Sequence, residues 1–205
     1  MKSFISEDNI EQAICNRLSL PEYGWKRIEC DARVEAQDEV STTGRANPSE
    51  CILPDVLFAA LKRLNPKMDE DVLKIILQDL RKDFTGTDMI DTNYSLYQKI
   101  RNGIQVKVRR NGKDDFDIVR LFDFDHPERN DFHCVNQMWI KGHYRYRRPD
   151  VLLFVNGLPV VFIELKNSTV KIEEAYNKNL TSYRQDIPNI FAFNQICVLS
   201  NGLQT

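Results

Sequence analysis

The feature that most constrains this chain is a pair of apolar runs on either side of Asn156-Gly157. The runs are Val151–Val155 and Val160–Ile163, and they consist of Val, Leu, Ile and Phe. An Asn-Gly pair between two such runs is the strongest short-range signal for a β-hairpin. Because the runs are apolar at nearly every position, we expect other elements to cover both faces of the hairpin.

Charged residues stand at the far end of this hairpin. Asp150 opens the first strand, while Glu164 and Lys166 close the second and share one face, since side chains alternate along a strand. Burying two carboxylates and an ammonium costs free energy unless they meet a partner or a metal. A divalent cation held by carboxylate oxygens, beside a lysine that positions or activates water, is a sensible use of such a cluster.

The register of the hairpin decides whether this cluster forms. With a strict two-residue turn, Asp150 would pair with Ile163 and lie on the face opposite Glu164. A shared site therefore requires a shift of one residue. We predict a three-residue connection with Gly157 in the left-handed conformation, a bulge near Pro159, or an irregular start to the first strand.

Three short stretches carry a resemblance to a known family. They are Arg147-Arg148-Pro149-Asp150, Phe154-Val155-Asn156-Gly157-Leu158-Pro159 and Ile163-Glu164-Leu165-Lys166-Asn167. Together they resemble the N-terminal nuclease domain of the restriction (motor) subunit of type I restriction enzymes, within the PD-(D/E)xK restriction-endonuclease-like superfamily. The match is strong over roughly 136–202 and looser over 1–130. It implies an α/β fold with a restriction-endonuclease-like mixed central sheet flanked by helices, which the order of hairpin, helix and strand also fits.

The resemblance implies Mg²⁺-dependent hydrolysis of DNA phosphodiester bonds, the activity of a type I site-specific deoxyribonuclease, with Mn²⁺ as a substitute. Asp150 and Glu164 would hold the metal together with the backbone carbonyl of Leu165. Lys166 would orient or deprotonate a water, or stabilise charge in the transition state. Two alternatives stay open: a catalytically silent DNA-binding or subunit-docking module, and a related repair-type nuclease. All three charged residues are present, which argues against a silent module.

The same resemblance adds three candidate residues. Glu11, on an early helix, is a candidate accessory metal ligand, and the alternative is a solvated helix charge. Relatives usually carry a Gln-x-x-x-Tyr pair in the helix after the hairpin. Here Tyr183 stands in the tyrosine position as a candidate for positioning the active site or DNA, but Asn179 replaces the glutamine. Asparagine keeps the amide and reaches one methylene less, so its role stays open against that of a polar helix face.

A basic and aromatic stretch, Lys141–Arg148, leads directly into Asp150. The formal net charge of the chain is −2, so any DNA contact must come from such local patches. Arg145, Arg147 and Arg148 are therefore candidates for a phosphate-contacting rim beside the metal. The alternative is an exposed edge strand, in which Lys and Arg discourage edge pairing.

The length of 205 residues suits a single endonuclease domain, with a mostly helical part at about 1–103 and a sheet-bearing catalytic core at about 104–205. The chain has no G-x-x-x-x-G-K-[ST] motif, whereas subunits of this family continue into a helicase-like motor. We therefore expect an N-terminal fragment of a longer motor subunit, with ATP used only through the absent motor. The implied partners are double-stranded DNA and the specificity and methylation subunits of the restriction complex.

The cysteine and histidine content bounds the compartment and the metal chemistry. Five widely spaced cysteines without a C-x-x-C pair indicate reduced, mostly buried thiols in a cytoplasmic protein. Three histidines argue against a His-rich zinc site. No signal peptide is apparent, and no apolar run approaches the ~20 residues of a membrane span.

Periodicity and turn signals predict the remaining elements. Helices are expected after a Ser6 cap and at Leu53–Leu64, Asp69–Asp83, Asp88 or Asp91 to Arg101, and Ile172–Tyr183. Strands are expected at Gln105–Arg110, Phe116–Phe122, Phe132–Trp139 and Gln195–Ser200, the last of them buried, with a turn at Asn111-Gly112. The polar stretch 34–50 is expected to be an exposed loop. Asp123, Asp125 and Glu128 are expected to form a solvated acidic turn rather than a metal cluster.

Overall fold

The computed structural model describes residues 5–31, 33–110 and 112–205, so Asn111 of the predicted turn lies outside the described residues. The strands are β1 (Lys26–Glu29), β2 (Ile104–Arg110), β3 (Lys113–Val119), β4 (Phe132–Asn136), β5 (Ile140–Lys141), β6 (Tyr146–Arg147), β7 (Val151–Val155), β8 (Leu158–Leu165) and β9 (Ile196–Ser200). The helices are α1 (Glu7–Leu18), α2 (Ala36–Thr43), α3 (Pro54–Leu64), α4 (Glu70–Leu80), α5 (Met89–Asn102), α6 (Ile172–Glu174), α7 (Thr181–Asp186) and α8 (Asn189–Phe193). A 3₁₀ turn covers Pro127–Arg129, and a π-helical segment, Ala175–Leu180, joins α6 to α7.

Five strands form one mixed sheet in the order β1-β4-β7-β8-β9. The outer strands β1 and β9 run parallel to their neighbours, and the inner pairs are antiparallel. Two ribbons, β2-β3 and β5-β6, lie apart from this sheet. The predicted mixed α/β architecture is therefore confirmed, and the predicted helical part also contributes one strand, β1.

Helices cover both faces of the central hairpin, as its composition predicts. Side chains on one face of β7, Val151 and Leu153, pack in one cluster with residues of α1. Those on the other face, Leu152 and Phe154, pack in a second cluster that includes Ile190 of α8. Nearly every residue of β7 and β8 is consequently buried.

The helix starts follow ordinary capping chemistry. Ser6 accepts a hydrogen bond from the backbone N–H of Asn9 at the start of α1. Asp69 and Asp88 accept from backbone N–H groups at the starts of α4 and α5. Pro54 opens α3, where a missing N–H leaves no hydrogen bond unmade. These starts agree with the sequence predictions.

The β7–β8 hairpin contains the predicted irregularity. Asn156 and Gly157 form a two-residue turn in which both have positive φ, 49° and 82°. Phe154 pairs with Pro159, but Leu153, the residue before it in β7, pairs with Val161. Val160 is thus the extra residue of a bulge beside Pro159, one of the three devices predicted. The pairs beyond it are shifted by one, so Asp150 comes to lie across from Glu164.

The expectation of an exposed loop at 34–50 is wrong. Ala36–Thr43 forms α2, which ends at Gly44 in the left-handed conformation. Next to it Arg45 is fully buried and pairs with Glu39, with 3.0 Å between Nη2 and Oε1. Buried polar side chains that form hydrogen bonds and ion pairs with one another cannot be told from surface residues in a sequence. The polar composition of 34–50 therefore led to a wrong prediction.

Three smaller expectations are corrected. Strand β9 was expected to be buried but lies at the edge of the sheet, where Ile196 is 54% exposed. The helix expected at Ile172–Tyr183 is interrupted by the π-helical segment and extends to Asp186. Asp123 is buried rather than solvated. Its carboxylate accepts a hydrogen bond from the His126 N–H and forms an ion pair with Arg129. It is therefore a structural link, and not part of a metal cluster.

The expectation of unpaired, mostly buried cysteines is confirmed. All five are free thiols, and Cys197 alone is exposed. None of the helices in the described ranges is long and apolar enough to cross a bilayer.

Candidate active site

The bulge brings Asp150 and the end of β8 together. The backbone N–H of Leu165 donates to Asp150 Oδ2 over 2.6 Å. Glu164, which is 2% exposed, lies directly before Leu165. Two carboxylates thus meet at one end of the hairpin, as the sequence predicted.

Lys166 joins the same cluster. Its ammonium donates to Glu164 Oε1 and to the backbone carbonyl of Leu165, each over 2.8 Å. These are two of the three groups that the resemblance assigned to the metal. The ammonium of Lys166 therefore lies beside two of the oxygen atoms that could bind a metal ion.

The charges and hydrogen bonds of the site favour the binding of a cation. Burial, and then the neighbouring Glu164 carboxylate, raise the pKa of Asp150 to about 7. Glu164 Oε2 is buried and has no hydrogen-bond partner among the described residues. A buried carboxylate oxygen without a partner is costly unless a cation or donor reaches it. The residues present thus fit a hard divalent ion, for which carboxylate and carbonyl oxygens are the usual ligands.

The donor set is small. Within the described ranges, no three Asp, Glu, His or Cys side chains come together as a metal cluster. The site consists instead of two carboxylates, Asp150 and Glu164, and one main-chain carbonyl. Mg²⁺ suits such a set because it is commonly bound through one or two carboxylates and keeps several waters.

Glu11 is buried beside this site and is not a solvated helix charge. It is 4% exposed, and its Oε1 accepts from Asn136 Nδ2 over 2.8 Å. Its Oε2 accepts from Gln137 Nε2, and the same nitrogen lies 3.3 Å from Asp150 Oδ1. Sequence reasoning missed Asn136 and Gln137. The available signal was a pair of amide side chains where a buried apolar strand ends.

The two residues of the altered pair motif both reach the site. Asn179 Nδ2 donates to Glu164 Oε1, so the shorter side chain still makes contact. The Tyr183 hydroxyl donates to the carbonyl of Arg148 over 3.3 Å. Burial, followed by Glu164, raises the pKa of Tyr183 above its ordinary value. Asn179 lies in the π-helical segment, an irregularity that often marks functional sites.

The three candidate arginines differ in freedom. Arg147 is held by Asp186, with 2.7 Å between Nε and Oδ2. Arg148 is partly buried and its guanidinium lies 5.1 Å from the centre of the Trp139 ring. Arg145 is exposed in the connection between β5 and β6. The alternative for this stretch was an exposed edge strand. It forms instead two short strands, β5 and β6, that pair with each other.

Comparison with known proteins identifies the family of this chain. Residues 4–205 match the family described as type I restriction enzyme R protein N terminus (HSDR_N). The chain is 31% identical over 204 residues to the type I restriction enzyme HindI endonuclease subunit of Haemophilus influenzae, which covers 97% of this chain and 19% of that protein. It is 36% identical over 87 residues to the type I restriction enzyme SsaAORF53P endonuclease subunit of Staphylococcus saprophyticus, covering 42% of this chain and 9% of that protein.

The chain therefore spans at most about a fifth of the length of these relatives. The resemblance seen in the sequence is confirmed, because the family match extends over nearly the whole chain and is not limited to the hairpin. The chain belongs to the family of type I restriction enzyme R protein N-terminal regions.

Proposed function

We propose that this chain is the Mg²⁺-dependent DNA endonuclease domain of a type I restriction subunit, which hydrolyses phosphodiester bonds. The bulge at Val160 is the observation that supports it most, since it sets Asp150 across from Glu164. The names of the relatives, which are endonuclease subunits, support the same reaction class.

Asp150, Glu164 and the carbonyl of Leu165 would hold the metal, and Mn²⁺ would substitute for Mg²⁺. When bound, such an ion acidifies a coordinated water and neutralises charge on the scissile phosphate. Lys166 would leave its contacts with Glu164 and Leu165 to donate to the attacking water or to a phosphate oxygen. A cation in that place stabilises the extra negative charge of the transition state.

Neighbouring residues would hold the catalytic groups in place. Asn179 fixes one oxygen of Glu164, and Tyr183 packs edge-on against Phe162 of β8, with 5.3 Å between ring centres. Asn179 would thereby limit the rotation of the Glu164 side chain, and Tyr183 would limit the movement of α7 relative to β8. Precise positioning of reacting groups can supply a large part of an enzyme's rate enhancement.

Double-stranded DNA would contact the β5-β6 ribbon. Arg145 and Arg148 are available for phosphates, whereas Arg147 is occupied by Asp186. Phosphate contacts of this kind position the duplex without reading its sequence. The specificity and methylation subunits of a cytoplasmic restriction complex would supply target selection, and the motor region of the longer subunit would use ATP.

The test uses the complete restriction complex, with the longer subunit that carries this sequence. Lys166→Ala should abolish DNA cutting while ATP hydrolysis continues at the parent rate, because the motor does not use this lysine. Lys82→Ala is the matched control, since Lys82 is 66% exposed on the surface. A Lys166→Ala complex that cuts at the parent rate would remove this residue from the mechanism. The isolated chain should cut plain duplex little or not at all.

A further inference from the structure

We infer that Gln137 is the positioning residue that fixes the Asp150 carboxylate for metal binding, and that Glu11 acts through it as an anchor. This inference rests on the proposed function. It assigns a role to a residue outside the catalytic motif. It also replaces the accessory-ligand role expected for Glu11 with an indirect one.

Gln137 is joined to Asp150 at both backbone and side chain. It follows Asn136, the last residue of β4, and its N–H donates to the backbone carbonyl of Asp150 over 2.9 Å. Its amide nitrogen Nε2 lies 3.3 Å from Asp150 Oδ1. Because the other oxygen, Oδ2, accepts from the Leu165 N–H, both oxygens of this carboxylate have a fixed donor. The plane of the Asp150 carboxylate is thereby set.

The same amide nitrogen also donates to Glu11 Oε2. Glu11 is buried, and Asn136 holds its other oxygen. Both oxygens of Glu11 are therefore used by amide groups. Glu11 thus orients the Gln137 amide instead of facing the metal directly, and the neutral amide separates two carboxylates that would otherwise repel each other.

The backbone of Gln137 gives an independent indication. Its φ is 57°, and among the described residues Asn156 is the one other non-glycine with a positive φ. Asn156 lies in a hairpin turn, where asparagine is a usual residue, whereas glutamine has no such preference. A strained backbone conformation persists only where the surrounding structure holds it in place, and such residues cluster at functional sites. Glycine would relieve this strain but would lose the amide.

This contrast defines the experiment, which uses the 205-residue chain and Mn²⁺ as the probe. Gln137→Gly should weaken Mn²⁺ binding by about 10- to 100-fold in calorimetric titration, the usual effect of removing a group that orients a ligand. Its melting temperature without metal should change by only a few degrees, because glycine relieves the left-handed conformation while buried Glu11 loses the donor to its Oε2. A purely structural glutamine would instead leave the Mn²⁺ affinity of this variant equal to that of the parent.

A double variant tests the anchor role. If Glu11 acts through Gln137, Glu11→Gln combined with Gln137→Gly should bind Mn²⁺ as Gln137→Gly alone does. A further loss in the double variant would make Glu11 a ligand in its own right and overturn this inference. The inference is also overturned if Gln137→Gly binds Mn²⁺ as tightly as the parent while Asp150→Asn does not bind it. In that case the proposed function still holds. If the parent chain binds no Mn²⁺, the proposed function and this inference fall together.

Discussion

The buried pair of Arg45 and Glu39 predicts a large loss of stability in Arg45→Met. The side chains of the pair are 0% and 1% exposed. Arg45 also donates to the backbone carbonyls of Glu50 and Trp139, over 3.1 and 2.9 Å. Trp139 is held a second time, since its N–H donates to Glu39 Oε1. The pair thus fixes the chain just after the site residue Gln137.

The magnitude follows from what the substitution leaves behind. Methionine fills much of the arginine volume, but Glu39 loses its cation and two buried carbonyls lose a donor. Breaking a buried ion pair by removing one partner costs about 3–5 kcal/mol. Burial already raises the pKa of Glu39, so part of this cost is avoided when the carboxyl takes up a proton. We expect about 3 kcal/mol at pH 7, the lower end of that range.

Urea unfolding of the chain, followed by circular dichroism, measures this loss. Arg33→Met is the matched control, since Arg33 pairs with Asp31 at the surface and its side chain is 89% exposed. The control should leave the unfolding midpoint unchanged. Adding Glu39→Leu to Arg45→Met should recover part of the loss, because no buried charge then remains. An Arg45→Met midpoint equal to that of the control would refute the reasoning.

Two further predictions concern the metal-free chain and the hairpin turn. Folded Asp150 keeps its proton up to about pH 7, whereas in the unfolded chain it loses it near 3.8, so the free energy of unfolding should fall as pH rises between these values. Urea unfolding in a chelator should show that fall reduced in Asp150→Asn, and an unchanged pH profile would contradict it. Gly157→Ala would place a Cβ 2.5 Å from the Leu53 carbonyl oxygen, so it should lower the melting temperature more than Gly24→Ala, which has a similar φ and open space. Equal melting temperatures for the two variants would argue against tight packing at the turn.

The central hairpin and its register were predictable because local rules and a functional requirement converge there. Asn156-Gly157 specified the turn, and the need to bring Asp150 to Glu164 specified a shift near Pro159. Helices α3 to α5 were predictable from apolar spacing and from caps such as Asp69. In each case the residues that carry the signal are close together in the sequence.

The remainder depends on contacts between distant residues. Glu39 and Arg45 read as surface charges because their partnership is visible only when α2 is folded against Trp139. Strand β1 has the sequence Lys-Arg-Ile-Glu, which has little apolar alternation, and it forms by pairing with β4. Gln137 was missed for the same reason, since its two carboxylate partners lie 126 and 13 residues away.

Calorimetric titration of this chain with Mn²⁺ tests the central claim most directly. The parent should bind the ion, and Asp150→Asn and Glu164→Gln should each weaken binding by at least about tenfold, since each removes a carboxylate ligand. Asp125→Asn, a change at a residue whose side chain is 80% exposed, should bind as the parent does. Parent-like affinity in either site variant would contradict a metal site formed by Asp150 and Glu164.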